Sequence, residues 1–215
     1  MSVDFGSLDP TRETKQDLPV IYIGSDESLK GDTFGGMTFG AVLLYPQQRE
    51  QLTRMGITDS KKISDTAIPL LANKIREVTS FTHVISLLPQ QYNEYTLTGL
   101  LNRYHQEVAD ALIARFTDTR YRIEHVVDKF PGCVVGNIII PKAESVYVEV
   151  AAASILARQA ALEQREYLSK QAGFLLPLGS THVQEALEKV LRTQKDPNKF
   201  VKLHFKNVQK ALQHL

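Results

Sequence analysis

The sequence predicts an α/β domain with a mixed central β-sheet flanked by helices. Two observations carry that prediction. Short apolar runs alternate with segments of helical period along most of the chain. The first two runs, Val20–Gly24 and Met37–Tyr45, are joined by a short stretch, Ser28 to Gly36, that holds three glycines and suits a hairpin. The sheet therefore opens antiparallel and continues through helical crossovers.

The elements follow in order. Thr66 to Val78 reads as a helix with Ile68, Leu71, Ala72 and Ile75 on one face, and Pro69 is tolerated because it falls in the first turn. Thr82 to Leu88 reads as a strand. Gln91 to Phe116 is the clearest helix, its stripe running through Leu97, Leu100, Leu101, Tyr104, Val108, Ala111 and Leu112. Glu124 to Asp128 and Val134 to Ile140 read as strands. Val148 to Lys170 is a long helix that opens on small residues, Ala151 to Ser154, which allow close packing on a sheet. Val183 to Thr193 and Phe205 to Leu215 complete a helical C-terminal segment.

With 215 residues, 43% hydrophobic and 23% charged, the chain suits one sizeable core. Residues 1–18 read as a loose lead-in and residues 19–215 as a single domain. No apolar run has the length of a membrane span, and the polar N-terminus lacks the pattern of a secretory signal. The single cysteine, Cys133, excludes an internal disulfide and a cysteine-based zinc cage. A cytoplasmic monomer with no membrane partner is the simplest expectation. A net charge of +1 excludes a globally basic nucleic-acid protein. The C-terminal segment nevertheless gathers Lys189, Arg192, Lys195, Lys199, Lys202, Lys206 and Lys210. Such spacing suits a phosphate backbone, or, more commonly, a solvated helix face.

Acids supply the chemistry. Asp26 and Glu27 are adjacent at the end of the first apolar run, where like charges repel and both resist leaving water. A hard divalent cation with oxygen ligands relieves that cost; a plain strand-to-turn junction is the alternative. Asp128 repeats the logic at the end of His125-Val126-Val127, and strand ends at one edge of an open α/β sheet gather functional groups. Glu144 lies just ahead of the long helix, where it also suits the helix dipole. Four carboxylates without histidine or cysteine at ligand spacing favour Mg²⁺ or Mn²⁺ over zinc, and suit two-metal phosphodiester cleavage.

These residues resemble a known family. Gly24-Ser25-Asp26-Glu27 with Gly31-Asp32 and Phe34-Gly35, then Gly56-Ile57-Thr58-Asp59-Ser60-Lys61-Lys62-Ile63, then Val127-Asp128-Lys129-Phe130, Lys142-Ala143-Glu144-Ser145, Val150 to Arg158, Leu176 to Gly179 and Lys202 to Asn207 follow one another as motifs do in the type 2 ribonucleases H. The glutamate at position 144 makes the chain most similar to ribonuclease HIII. The resemblance implies a ribonuclease H-like fold and cleavage of the RNA strand of RNA–DNA hybrids, with 3′-hydroxyl and 5′-phosphate products. It implies Asp26, Glu27, Asp128 and Glu144 as the catalytic, metal-binding set. Ser60, Lys61 and Lys62 suit phosphate contacts; Lys142 suits one too, or balances Glu144. Lys30 and Gly31 belong to the loop that faces the RNA strand in this family, and His204 and Lys206 are candidates for the hybrid's flank.

Three departures from the family pattern stand out. Leu29 occupies a usual glycine, and leucine adopts positive φ at greater cost, which weakens readout of ribose 2′-hydroxyls by the loop backbone. Gly36 replaces a usual proline and is expected to loosen the same loop. Only about twenty residues precede the first strand, too few for the separate substrate-binding domain typical of the family, so hybrid affinity is expected to rest on the catalytic domain. A nuclease of the same fold with another substrate, and a hybrid-binding module without catalysis, are the alternatives.

Overall fold

Five strands form one sheet in the order β3-β2-β1-β4-β5: β1 Val20–Ser28, β2 Met37–Leu44, β3 Thr82–Leu87, β4 Arg122–Asp128 and β5 Ile138–Ile140. β1 pairs antiparallel with β2 and parallel with β4; β2 pairs antiparallel with β3, and β4 parallel with β5. The sheet is thus mixed, and it opens with the expected hairpin. This computed structural model describes residues 18–58, 60–193 and 196–213, with Lys62 by its backbone alone. The proposed lead-in of residues 1–18 lies, but for Leu18, outside the described residues.

The helices are α1 Pro46–Arg54, α2 Ile68–Val78, α3 Pro89–Tyr92, α4 Leu97–Ile113, α5 Val148–Ala172, α6 Gln184–Thr193 and α7 Lys206–Leu212. Among the described residues, no helix is long and apolar enough to cross a membrane. α4 covers one face of the sheet, where Leu101, Tyr104 and Val108 meet Ile21, Ile23, Phe39 and Val127. α5 covers the other, together with α2, against Val42 and Leu44. Its opening alanines do what small residues allow. A Cβ on Gly24 of β1 would stand 2.2 Å from the Val150 nitrogen, and one on Gly40 of β2 would stand 2.5 Å from the Ala153 oxygen. The helix backbone therefore rests directly on β1 and β2, and it fixes the end of β1 where Asp26 sits.

The main departures from expectation have local causes. α1 has only Leu52 buried, so it shows no apolar stripe; Pro46 starts it, and the Gln48 side chain accepts from the Tyr45 N–H at 3.0 Å. The helix expected from Gln91 to Phe116 is broken between α3 and α4. There Asn93 reaches across to the Val201 carbonyl at 2.9 Å and accepts from the Leu203 N–H at 3.0 Å, while Thr96 caps α4 through the Gly99 N–H. β5 is shorter than Val134–Ile140, because Gly136 takes φ +87° and Val134 turns out to solvent. β1 runs on to Ser28, so Asp26 and Glu27 lie within the strand.

The C-terminal helices form a second core. Leu168 and Leu176 meet Leu187, Val190, Val201 and Val208, and Phe34 from the β1–β2 loop inserts among them. That loop is bound to the C-terminal segment by its backbone: Thr33 N–H donates to the Gly179 carbonyl at 2.9 Å, Gly35 N–H to Phe200 at 3.0 Å, and Lys202 N–H to Thr33 at 3.1 Å.

Candidate active site

Strand alternation places the acids. Residues one apart on a strand point to opposite faces. Gly24 faces α5, whereas Ser25 and Glu27 meet His105 of α4. Asp26 therefore faces the α5 side. The β1–β4 register ends at Ser25↔Val127, so the next step along both strands sets Asp26 beside Asp128 on that same side. Glu144 sits in a short 3-10 turn, Ala143–Ser145, just before α5. The Asp128 carboxylate anchors this turn by accepting from the Ala143 N–H at 3.3 Å.

Electrostatics separates the two neighbours. The Asp26 carboxyl is raised well above its ordinary range, first by burial and then by the charge of Glu27, with Glu144 adding to the repulsion and Lys61 opposing it. Burial also pushes Glu27 upward, but hydrogen bonds and charge from His105 and Lys30 outweigh it and hold Glu27 at about 2. Glu27 Oε2 accepts from His105 Nε2 at 3.1 Å and Oε1 from Lys30 Nζ at 2.5 Å. The adjacent acids thus do not share one compensating charge: among the described residues, His105 and Lys30 answer Glu27, while the charge of Lys61 opposes the shift of Asp26 without overcoming it.

A cleft of ≈ 430 Å³ opens beside them and brings together Asp26, Glu27, Lys30, Gly31, Ser60 and Lys61. Arg158, oriented by Asp65 through bonds of 2.9 and 3.1 Å, also lines it. Ser60 is placed by its backbone N–H, which donates to Ser154 of α5 at 3.1 Å. Asp128, Glu144 and Lys142 do not line this cleft; Lys142 is exposed with φ +57°. The Lys62 side chain and Asp59 lie outside the described residues. Among the described residues, no three His, Cys, Asp or Glu side chains already stand as a ready-made ion cage. The donor set still fits a hard cation in kind: Asp26 feels Glu27 and Glu144 as like charges, and Asp128 adjoins it by register.

The departures take a different meaning in three dimensions. Leu29 does adopt the left-handed conformation, φ +68°, and its side chain is 3% exposed. The loop backbone therefore keeps the path that a glycine would give. Gly36 is not loose. Its N–H donates to the buried Gln164 amide oxygen at 2.8 Å, and a Cβ there would stand 2.0 Å from the Leu87 carbonyl oxygen. Lys202, read as part of a basic stripe, is fully buried and donates from Nζ to the Asp32 carbonyl at 2.5 Å. It is unavailable to a phosphate backbone. His204 stacks on Tyr92 with ring centroids 5.2 Å apart, and Lys195 lies outside the described residues. Sequence reasoning missed His105 and Arg158 as cleft or site residues. A helix-face histidine gave no signal, because its partners are 78 and 80 residues away.

Comparison with known proteins follows the same lines. Residues 23–208 match the family model described as Ribonuclease HII. The chain is 34% identical to Ribonuclease HIII of Limosilactobacillus fermentum, over 89% of this chain and 69% of that protein. It is 33% identical to Ribonuclease HIII of Mycoplasma pneumoniae, over 90% of this chain and 95% of that one. A crystal structure of Bst-RNase HIII in complex with Mn²⁺ superposes with a TM-score of 0.76 at 31% identity, covering 99% of this chain and 77% of its own. The ribonuclease H2 of Pyrococcus horikoshii OT3, at 20% identity and TM-score 0.73, shares the fold.

Proposed function

The chain belongs to the ribonuclease HII family and aligns with its ribonucleases HIII, and on that premise we propose that it cuts the RNA strand of RNA–DNA hybrids endonucleolytically by two-metal-ion catalysis, leaving 3′-hydroxyl and 5′-phosphate ends. In this reading residues 19–215 act as one catalytic domain. The observation that carries it is the gathering of unlike roles at one sheet edge. Asp26, with its raised carboxyl, adjoins Asp128 and feels Glu144, beside a cleft that presents Lys30, Ser60 and Lys61.

Asp26 and Asp128 would hold the metal, Glu144 would complete the set, and Glu27 would join directly or through water. When bound, a pair of Mg²⁺ or Mn²⁺ ions supplies activation of the attacking water and neutralisation of the leaving oxygen. The chain's own groups do the rest. Ser60 and Lys61 hold a substrate phosphate, the first as a short hydroxyl and the second as a point charge. The Lys30–Gly31 loop lies against the RNA strand, where recognition of a hybrid rests on shape and the 2′-hydroxyl. Lys142, exposed at the turn that carries Glu144, and Lys62 extend the phosphate track. Preference for another nucleic acid loses its motive, since Leu29 keeps the positive φ that the loop requires.

The test is cleavage of a uniform RNA–DNA hybrid with Mg²⁺, with Mn²⁺ and with chelator, beside duplex RNA, duplex DNA and an Asp128→Asn control. We expect metal-dependent cleavage of the hybrid RNA strand that the substitution abolishes. Cleavage that persists in chelator, or in Asp128→Asn, would sink the reading.

A further inference from the structure

A continuous chain of hydrogen bonds runs through the interior behind Glu27. His105 Nε2 lies 3.1 Å from Glu27 Oε2, His105 Nδ1 lies 2.8 Å from Ser25 Oγ, and Ser25 Oγ lies 2.7 Å from His125 Nε2. Ser25, His105 and His125 are 0%, 1% and 4% exposed. Such burial rules out Ser25 as a nucleophile, although the order of groups imitates a hydrolytic triad.

With a neutral His105 the donors and acceptors run in one direction, and with a protonated His105 the two bonds to Ser25 reverse while the bond to Glu27 stays as it is. Glu27 is ionised and only accepts, so His105 Nε2 carries hydrogen and donates to Oε2. A neutral His105 then has Nδ1 as acceptor, which takes the Ser25 hydroxyl hydrogen. Ser25 Oγ has spent its single hydrogen and accepts from His125 Nε2. Each member fixes the tautomer of the next, in the way that outer partners fix a metal ligand. Packing fixes the His105 ring as well: Phe39 meets it edge-on at 5.3 Å, and Phe130 stacks on it at 5.8 Å and 20°. Phe130 stands two residues beyond Asp128, so the same ring braces the turn after β4.

We propose that His105, oriented by Ser25 and His125, is a positioning residue that pins Glu27 by Oε2 and leaves Oε1 as the one oxygen this acid presents toward the cleft. Lys30 Nζ, 2.5 Å from Oε1, occupies the cationic side of that oxygen. At Oε1 a divalent ion would compete with Lys30 and would leave the His105 bond intact. This assignment rests on the proposed role of Glu27 as a direct or water-mediated ligand.

The full chain and its His105→Ala, His105→Gln and Ser25→Ala variants, matched for thermal unfolding, test it by calorimetric titration with Mn²⁺ and by hybrid cleavage across Mn²⁺ concentration. Loss of an outer partner weakens metal affinity about 10- to 100-fold, and His105→Ala is expected to fall in that range with the KM for hybrid at saturating Mn²⁺ unchanged. His105→Gln, which keeps an N–H for Oε2, restores most of the affinity, and Ser25→Ala lies between. A folded His105→Ala with wild-type Mn²⁺ affinity, or a His105→Gln no better than His105→Ala, overturns the assignment. Should His105→Ala fail to fold, wild-type Mn²⁺ affinity in Ser25→Ala overturns it. A wild-type chain that binds no Mn²⁺ and leaves hybrid intact overturns the functional reading instead, so the two failures are told apart.

Discussion

Replacing Leu29 by alanine and, separately, by glycine divides two energies that the loop holds together. Leu29 sits at φ +68° with its side chain buried beside Phe34, Leu168 and Leu176. Left-handed backbone costs a non-glycine residue about 1–2 kcal/mol. Truncating a buried leucine to alanine costs about 2–5 kcal/mol. Alanine loses the packing and keeps the strain, so Leu29→Ala should cost about 3 kcal/mol. Glycine loses the same packing and sheds the strain, against a chain-entropy cost of about 0.5–1 kcal/mol. Leu29→Gly should therefore be as stable as Leu29→Ala, or more stable by up to about 1.5 kcal/mol. At an ordinary position the order is reversed. Urea unfolding of the three proteins measures this, and in heat each kcal/mol moves the midpoint by about 2–4 °C for a chain of this size. A Leu29→Ala protein more stable than Leu29→Gly by 1 kcal/mol or so would refute the strain argument. A cost below about 1 kcal/mol for either would refute the burial argument. Hybrid cleavage by Leu29→Gly should match the wild type, since the backbone path through Lys30 and Gly31 is unchanged.

Other expectations follow from the same geometry. Burial holds Lys202 at about 7 against an ordinary 10.5, with Asp32 opposing the shift. Its folded form binds fewer protons than the unfolded chain between those values, so wild-type stability should climb as pH rises from about 7 toward 9.5, by about 2–3 kcal/mol. Lys202→Met should flatten that climb, and equal slopes in the two proteins would contradict it. Gly24→Ala drives a Cβ into the α5 backbone at 2.2 Å and should cost about 3 kcal/mol or more, or prevent folding. Gly31→Ala meets nothing within 4 Å and should leave stability within about 0.5 kcal/mol while raising the KM for hybrid. A Gly31→Ala protein with unchanged KM removes that residue from the substrate loop. Hybrid binding should weaken with salt, and Lys61→Ala should reduce the slope of log K against log salt by about one phosphate contact. An unchanged slope assigns Lys61 another role.

What the sequence disclosed depended on how local each cause is. The β1–β2 hairpin, the α4 stripe and the small-residue face of α5 are patterns within one segment, and they stand close to where periodicity puts them. The opposite faces of Asp26 and Glu27 were not read from the sequence, where adjacency suggested a shared cation; they follow from β1 running on to Ser28. α1 escaped because its helix is made by Pro46 and a glutamine cap rather than by an apolar stripe. The break before α4 escaped because Asn93 is committed to residues more than a hundred positions away. Lys202 looked like one of several spaced lysines; the carbonyl that receives it is 170 residues distant. Convergence of Asp128 on Asp26 was an inference from strand ends, and the parallel pairing of β4 with β1, which runs to Ser25↔Val127, brings those two strand ends together.

These long-range commitments converge on the β1–β2 loop, and they explain why it tolerates both departures from the family pattern. On one side Gln164 of α5 accepts from Gly36 and donates to Ser86 and to the Leu87 carbonyl. On the other, Asp32 accepts from the Gly179 N–H at 2.6 Å, its carbonyl receives Lys202, and Asn207 donates to Thr33 at 2.8 Å. A proline at position 36 would stiffen the chain but remove the N–H that Gln164 holds. Glycine at that position gives up the ring's restraint and gains a tertiary hydrogen bond, with room to pass the Leu87 carbonyl. A glycine at position 29 would relieve strain but remove a buried side chain beside Phe34, Leu168 and Leu176. The loop's shape is thus set from outside, by α5 and the C-terminal segment. The C-terminal helices are therefore part of the structure that presents Lys30 and Gly31 to substrate, since the loop shares backbone hydrogen bonds and an apolar core with them.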